Sequence, residues 1–334
     1  RDQPRSRGLG DVYKRQNLGG RRFAYLSTIT DDYETLNMYK WGLDSSYGLT
    51  GMAEGEFAVQ DLTWEIVNKM NLGVELGFLN GMIDLQLDYF DERRKDIFMP
   101  RESVPMTAGF MKQPWKNFGK VTNQGVEVSL NVNKQFGKDL FVSLMGTFTY
   151  AHNEITEKDE PSAVVGTNRA ETGHPVGQLT GYIAEGLFTA DDFEDVSTGK
   201  LKEGIPTQSF VGKLRPGDIR YRDVNGDGKV DVFDKSPIGG TKDPEIVYGF
   251  GLNMKYKNLD FGALFQGIGR SWNILGSSII PGANRGVTGN MFTNANDRWT
   301  VDNPSQNVFY PRLDDGINSN NCLLYTSPSP RDRG

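Results

Sequence analysis

The chain has 334 residues, with 37 Lys and Arg against 43 Asp and Glu, a formal net charge of −6, one cysteine and two histidines. An acidic chain without basic clusters excludes a nucleic-acid partner, and a lone cysteine excludes a disulfide framework. The apolar runs are only a few residues long, which excludes a transmembrane helix. A mean hydropathy of −0.51 suits a soluble protein and equally a β-barrel, in which only alternate residues meet lipid.

The two ends differ from the rest. Encoded as GAT GTG TAT AAG AGA CAG, residues 11–16 (DVYKRQ) have the reverse complement CTG TCT CTT ATA CAC ATC. One base on, that strand reads Cys-Leu-Leu-Tyr-Thr-Ser, which is residues 322–327. Residues 1–16 and 322–334 are therefore read as a library adapter translated at each end and set aside from the fold. The remaining 17–321 carry 30 basic and 40 acidic residues, about −10 in net charge, and no cysteine.

In chain order, 21–30 (RRFAYLSTIT) reads as the end of a strand, and 31–60 as a polar, Gly-rich loop. Residues 62–79 and 82–98 form a hairpin. Leu72, Val74, Leu76 and Phe78 alternate with Asn71, Gly73, Glu75 and Gly77; Ile83, Leu85, Leu87 and Tyr89 then alternate with Asp84, Gln86 and Asp88. A period of two is a strand signal, and Asn80-Gly81 between two such runs predicts a two-residue type I′ turn. A loop over 100–120 holds Pro100, Pro105, Pro114 and Trp115. Alternation resumes over 121–134 (Val126, Val128, Leu130, Val132), and a turn at 135–138 leads into 140–155 (Leu140, Val142, Leu144, Phe148, Tyr150). A connection of almost ninety residues, 156–244, holds short strands around 181–188 and 218–222. Residues 246–256 and 259–266 make a last hairpin about Lys257 and Asn258. A loop over 273–307 follows, and 309–313 begins a further strand.

The connections thus alternate between long and short. That sorting is expected when strands cross a layer up and down, with tight turns on one rim and elaborate loops on the other. Ten residues at ~3.3 Å, tilted ~45°, rise about 23 Å, close to the apolar band of an outer-membrane barrel. Tyr89, Phe90, Phe98, Tyr150, Tyr256 and Trp272 stand near strand ends, where aromatic girdles occur. The predicted fold is all-β: part of a large antiparallel transmembrane β-barrel, incomplete and open, with long extracellular loops. A soluble β-sandwich also alternates its faces; a secreted, calcium-stabilised β-rich binding or adhesion module is the alternative. Lipid-facing rows on every long strand would separate the two.

Several stretches resemble SusC/RagA-type TonB-dependent outer-membrane transporters. They are LTWEIVNKMNLGVELGFLNGMIDLQLDYFDERRKDIF, NQGVEVSLNVN with FVSLMGTFTYAHNEI, GHPVGQLTGYIAEGLF, PGDIRYRDVNGDGKVDVFDKSPIGGTKDPEIVYGFGLNMKYKNLDFGALFQG, and NDRWTVDNPS. The resemblance implies a 22-stranded barrel in the outer membrane with a plug inside it. It also implies energy from the TonB complex, a SusD-like lipoprotein lid, and uptake of oligosaccharides or peptides. The plug, the TonB box and the closing strands are not in this chain, so it would be one part of the barrel wall.

One motif carries candidate chemistry. Residues 223–234, DVNGDGKVDVFD, fit a calcium loop, with Asp223, Asn225, Asp227, the Lys229 carbonyl, Asp231 and Asp234 as ligands and Gly228 at the sharp turn. Asp in place of the usual Glu at the twelfth position shortens the last ligand. Catalysis is not expected: His152 and His174 lie in different segments without a third ligand, and the acid pairs 31–32 and 191–192 sit in polar loops. The glycine run at 267–270 is too short for a phosphate loop. Trp41, Trp115 and Trp299 are loop aromatics that could stack on a sugar or simply pack.

Overall fold

The computed structural model describes residues 10–15, 23–30, 39–41, 43, 47–49, 53–108, 112–210, 213–273, 293–313 and 321. Asp31 and Asp32, and much of the 31–60 and 273–307 loops, lie outside them. The chain divides into two compact units.

The first unit is a seven-stranded sheet with strands in chain order. These are β1 (Gly10–Arg15), β2 (Glu65–Phe78), β3 (Ile83–Pro100), β4 (Trp115–Phe136), β5 (Leu140–Glu157), β6 (Ile246–Tyr256) and β7 (Leu259–Gly269). Every neighbouring pair is antiparallel. β1 falls within the residues read as adapter. It pairs along part of β2, as an extended segment can on an edge strand whose N–H and C=O groups are otherwise unpaired.

Register places all three tight turns at one edge of this sheet. Phe78 pairs with Ile83, Ile83 with Val132, Val132 with Leu144, Leu144 with Leu252 and Leu252 with Ala263. The 101–114 loop lies at the other edge, where Pro100 pairs with Trp115. The predicted sorting therefore holds within the sheet. The first turn is looser than predicted. Strand pairing stops at Phe78–Ile83, and Leu79, Asn80 and Gly81 all take left-handed φ, of 54°, 56° and 80°. Asn-Gly supplies two of those three positions and Leu79 carries the third.

Two further boundaries differ. β4 begins at Trp115, so the expected loop is shorter and the strand is 22 residues long. The ladder absorbs this through a bulge between Arg94 and Ile97, where Asp96 has φ 59°. Asn117 fastens the bulge: its side chain donates to the Asp96 and Thr63 carbonyls and accepts from the Thr63 N–H. β5 outruns β6 at its upper end. That exposed edge is covered by returning chain, through Ala151 N–H to the Glu245 carbonyl, Ile155 N–H to the His174 carbonyl and Gly173 N–H to the Ile155 carbonyl.

The second unit contains 166–169, 177–244 and 270–334. The long connection holds the short strands expected around 181–188 and 218–222, and it builds small cores of its own. Short ladders join Ala184–Leu187 to Ile219–Tyr221, Thr180–Gly181 to Ser236–Pro237, and Thr207–Gln208 to Lys229–Val230. They enclose two small cores, one of Tyr182, Ala184, Ile219, Tyr221 and Val230, the other of Phe188, Phe193 and Leu214. The strand expected at 309–313 is instead a single parallel bridge between Arg298 and Tyr310.

Candidate functional site

In the first unit the functional surface is the sheet's outward face. Strand alternation and register align its side chains into rows. Leu72, Tyr89, Val126, Tyr150 and Ile246 make one; Val74, Leu87, Val128, Phe148 and Tyr248 the next; Leu76, Leu85, Leu130, Gly146, Phe250 and Phe265 a third. The band continues to Phe136, Leu140, Tyr256 and Leu259 at the turn edge. Above Tyr89 and Tyr150 the same face turns polar with Asp91, Gln124 and His152. From Ile246 to Tyr256 the band spans ten residue steps, about 23 Å at ~45° tilt. Leu72, Leu76, Phe250 and Phe265 are each 40% or more exposed, so nothing among the described residues covers the band there.

Of the expected girdle residues, Tyr89, Tyr150 and Tyr256 take that position. Phe90 does not: it lies on the inward face across Gly125, where an added Cβ would meet its ring at 2.4 Å. Phe98, on the same strand face as Phe90, is buried with Ala24 and Val59 and packs on Trp115 at 5.0 Å. Trp272 belongs to the second unit, where it lies over the Gly239 and Gly240 backbone at 2.5 Å from either added Cβ. Gly267, part of the glycine run, makes room for the Tyr248 ring.

The inward face is polar over β2–β4, with Glu75, Gln86 and Ser129 in one row and Asp84 and Asn131 in the next. Asp88 and Glu127 are direct neighbours there, and Asp88 leans over Gly73. Like charges side by side are tolerable only where water reaches them. Toward β7 the face turns apolar, with Met145, Val247, Leu264 and Ile268.

At the upper edge a carboxylate holds two loops. Asp159 accepts from Arg101 Nε at 2.8 Å, from the Ser103 N–H at 3.2 Å and from Ser103 Oγ at 2.9 Å. Burial pushes the Asp159 carboxyl up, but the Arg101 and Ser103 hydrogen bonds outweigh it and hold the group below the ordinary carboxylate range. Beside it Lys158 bridges Glu171 at 2.7 Å and Glu102 at 3.4 Å.

In the second unit the 223–234 loop is closed by its own backbone. Asp223 accepts from Gly226 N–H at 2.6 Å and Gly228 N–H at 2.8 Å; Asn225 accepts from Asp227 N–H; Asp227 from Lys229 N–H; and Asp231 from Phe233 N–H. Asp234 is fully buried and accepts from Val224, Asn225 and Asp231 N–H. Gly226 and Gly228 supply the left-handed φ values, and Val230 plugs into the core. The side-chain oxygens are not drawn into a cage: among the described residues no three Asp, Glu, His or Cys groups are placed to hold an ion. Their charge is met by N–H dipoles, and a carboxylate oxygen accepting one N–H keeps a lone pair.

His152 Nδ1 lies 2.5 Å from Glu245. Asp192 caps Thr189 through its N–H and hydroxyl. Trp299 is buried on Gly217, and Trp115 packs, half-buried, on Phe98; the Trp41 side chain lies outside the described residues.

A sheet with a continuous apolar band on one face, an opposite face that is polar over β2–β4, and sorted turns is the wall of a transmembrane β-barrel. A secreted module would present a polar outer face. The family profile "TonB dependent receptor-like, beta-barrel" matches residues 13–302, and the chain belongs to that family, whose barrels lie in the bacterial outer membrane. It is 28% identical over 264 residues to the TonB-dependent receptor SusC of Bacteroides thetaiotaomicron and 25% identical over 247 residues to TonB-dependent receptor P3 of Formosa agariphila. The matches cover 74% and 70% of this chain, but 23% of each relative. The fold is that of a chain in the structure of the RagAB peptide importer in its closed-closed state. The TM-score is 0.61 at 21% identity, covering 93% of this chain and 31% of that one.

Proposed function

We propose that the full-length protein imports oligosaccharides or peptides across the outer membrane, driven through the TonB complex and covered outside by a SusD-like lipoprotein. The observation that carries this reading is the two-faced wall: an apolar outer band one membrane tall, backed over β2–β4 by a polar inner surface suited to a hydrated passage. A relative solved as a peptide importer supports the substrate class. Uptake of labelled oligosaccharides and labelled peptides by cells with and without the gene, and with and without TonB, tests it. Import of one class that needs both is expected; uptake unaffected by loss of the gene would contradict it.

We propose further that the 223–234 loop binds calcium through Asp223, Asn225, Asp227, the Lys229 carbonyl, Asp231 and Asp234. What supports this is the hydrogen bond from Gly228 to Asp223, which links the sixth loop position to the first, together with the lone pairs left free on the capping oxygens. A bound ion would add cross-links between side chains that, apart from the Asn225 amide donating to Asp227 at 3.3 Å, now meet backbone. An extracellular loop needs only ~10⁻⁴–10⁻³ M affinity. Limited proteolysis of the full-length protein with calcium and with chelator should show slower cleavage near this loop in calcium, with the difference absent in D223A/D227A. Identical patterns in the wild type would leave a loop closed by its backbone alone.

A further inference from the structure

At the turn edge of the wall, lysines are distributed by face. Lys255 points inward and has a carboxylate, Asp260, at 3.9 Å. Lys134 and Lys257 have aromatic rings instead. Lys134 lies in the outward row with Val142, Met254 and Phe261, and its ammonium sits over the Phe136 ring at 5.0 Å. Lys257, in the next turn, has its ammonium over the Tyr256 ring at 5.4 Å. Phe136 and Tyr256 share the last outward row, on either side of Leu140. The two turns are joined, since the Lys257 N–H donates to the Asp139 carbonyl at 2.9 Å. Lys138 stands in that same turn beside Asp139. No carboxylate among the described residues pairs with Lys134 or Lys257.

We propose that Lys134 and Lys257, each on its girdle ring, form a seat for the phosphate of an anionic phospholipid in the leaflet that meets the turns. Three physical points carry this. Both lysines stand at the end of the apolar band, where side-chain stems lie along lipid and ammonium groups reach the headgroups. A ring face holds a cation without neutralising it, so each charge stays available to an anion. The short turns of outer-membrane barrels face the periplasm, and the lipids there are phospholipids. An anionic headgroup thereby fixes the depth of β4–β6 in the membrane.

The test is native mass spectrometry of the full-length protein purified with phosphatidylglycerol, comparing wild type, K134Q/K257Q and K134R/K257R. Heat-modifiable migration reports that each barrel is folded. A lysine near an anionic surface contributes about fivefold to binding, so retained lipid should fall roughly twenty-five-fold in the Gln pair and recover in the Arg pair. Retention unchanged in the folded Gln pair would overturn the seat. Should the Gln pair not fold, the wild type decides: lipid released as salt rises supports the seat, and release independent of salt overturns it. Displacement of the lipid by inorganic phosphate would overturn the lipid reading in favour of a plain anion site.

Discussion

Gly125 and Gly146 lie in neighbouring long strands, and their surroundings set opposite demands. A Cβ at Gly125 would stand 2.3 Å from the Tyr150 carbonyl oxygen and 2.4 Å from the Phe90 ring, while one at Gly146 would meet nothing within 4 Å. Backbone cannot retreat as a flexible side chain can. Gly125→Ala should therefore destabilise the barrel by ~1–3 kcal/mol and Gly146→Ala should be near neutral, as read from the heat-modifiable migration of each variant. Equal midpoints would mean that Phe90 does not lie over Gly125. Asp159 makes a second residue-scale prediction. Its carboxyl is held below the ordinary range in the fold, so the clamp is at full strength above the unfolded-state value and is lost as pH falls through the lower, folded value. Protection of the 101–104 amides against hydrogen exchange, taken relative to the intrinsic rate at each pH, should fall in acid below the ordinary carboxylate range. Asp159→Asn should show fast exchange already at neutral pH; an unchanged rate in that variant would contradict the clamp.

Among elements, β3 tests the facing directly. Leu85 lies in the outward row between Leu76 and Leu130, and Gln86 in the inward row between Glu75 and Ser129. Leu85→Arg should cost ~2–4 kcal/mol near the midplane and reduce folded protein in the membrane, whereas Gln86→Arg should be mild. Equal yields would count against a lipid-facing row. The strands themselves were legible in the sequence, because each buries no more than one face and so alternates cleanly. The elements that were not legible depend on distant partners. Asp96 bulges where Asn117 fastens it, and Phe98 is buried by Ala24 and Val59, which lie far back along the chain. In the second unit the strands around 181–188 and 218–222 were legible, whereas those at 207–208, 229–230 and 236–237 are only two residues long, too short for any periodicity to show. The calcium motif was legible as a pattern of residue types. That Asp234 is buried and committed to three N–H groups was not.

At the scale of the whole molecule, the matched region covers 23% of the length of the SusC and P3 relatives, so its sheet is a sector of a barrel and the proposed import is a property of the full-length protein. The family was readable because many motifs recur in order, whereas the substrate is not written in this sector. Long genomic reads across both ends should lack the codons for 11–16 and 322–327; finding them would contradict the adapter reading and make β1 a native strand. The central claim is that the sheet crosses the outer membrane with its tight turns toward the periplasm. Labelling of intact cells with a membrane-impermeant thiol reagent tests it most directly, using Thr107→Cys in the exposed 101–114 loop and Lys138→Cys in the exposed 137–139 turn of the full-length protein. Thr107→Cys should label on intact cells and Lys138→Cys only after the outer membrane is permeabilised; labelling of both on intact cells, or of Lys138→Cys alone, would contradict the account.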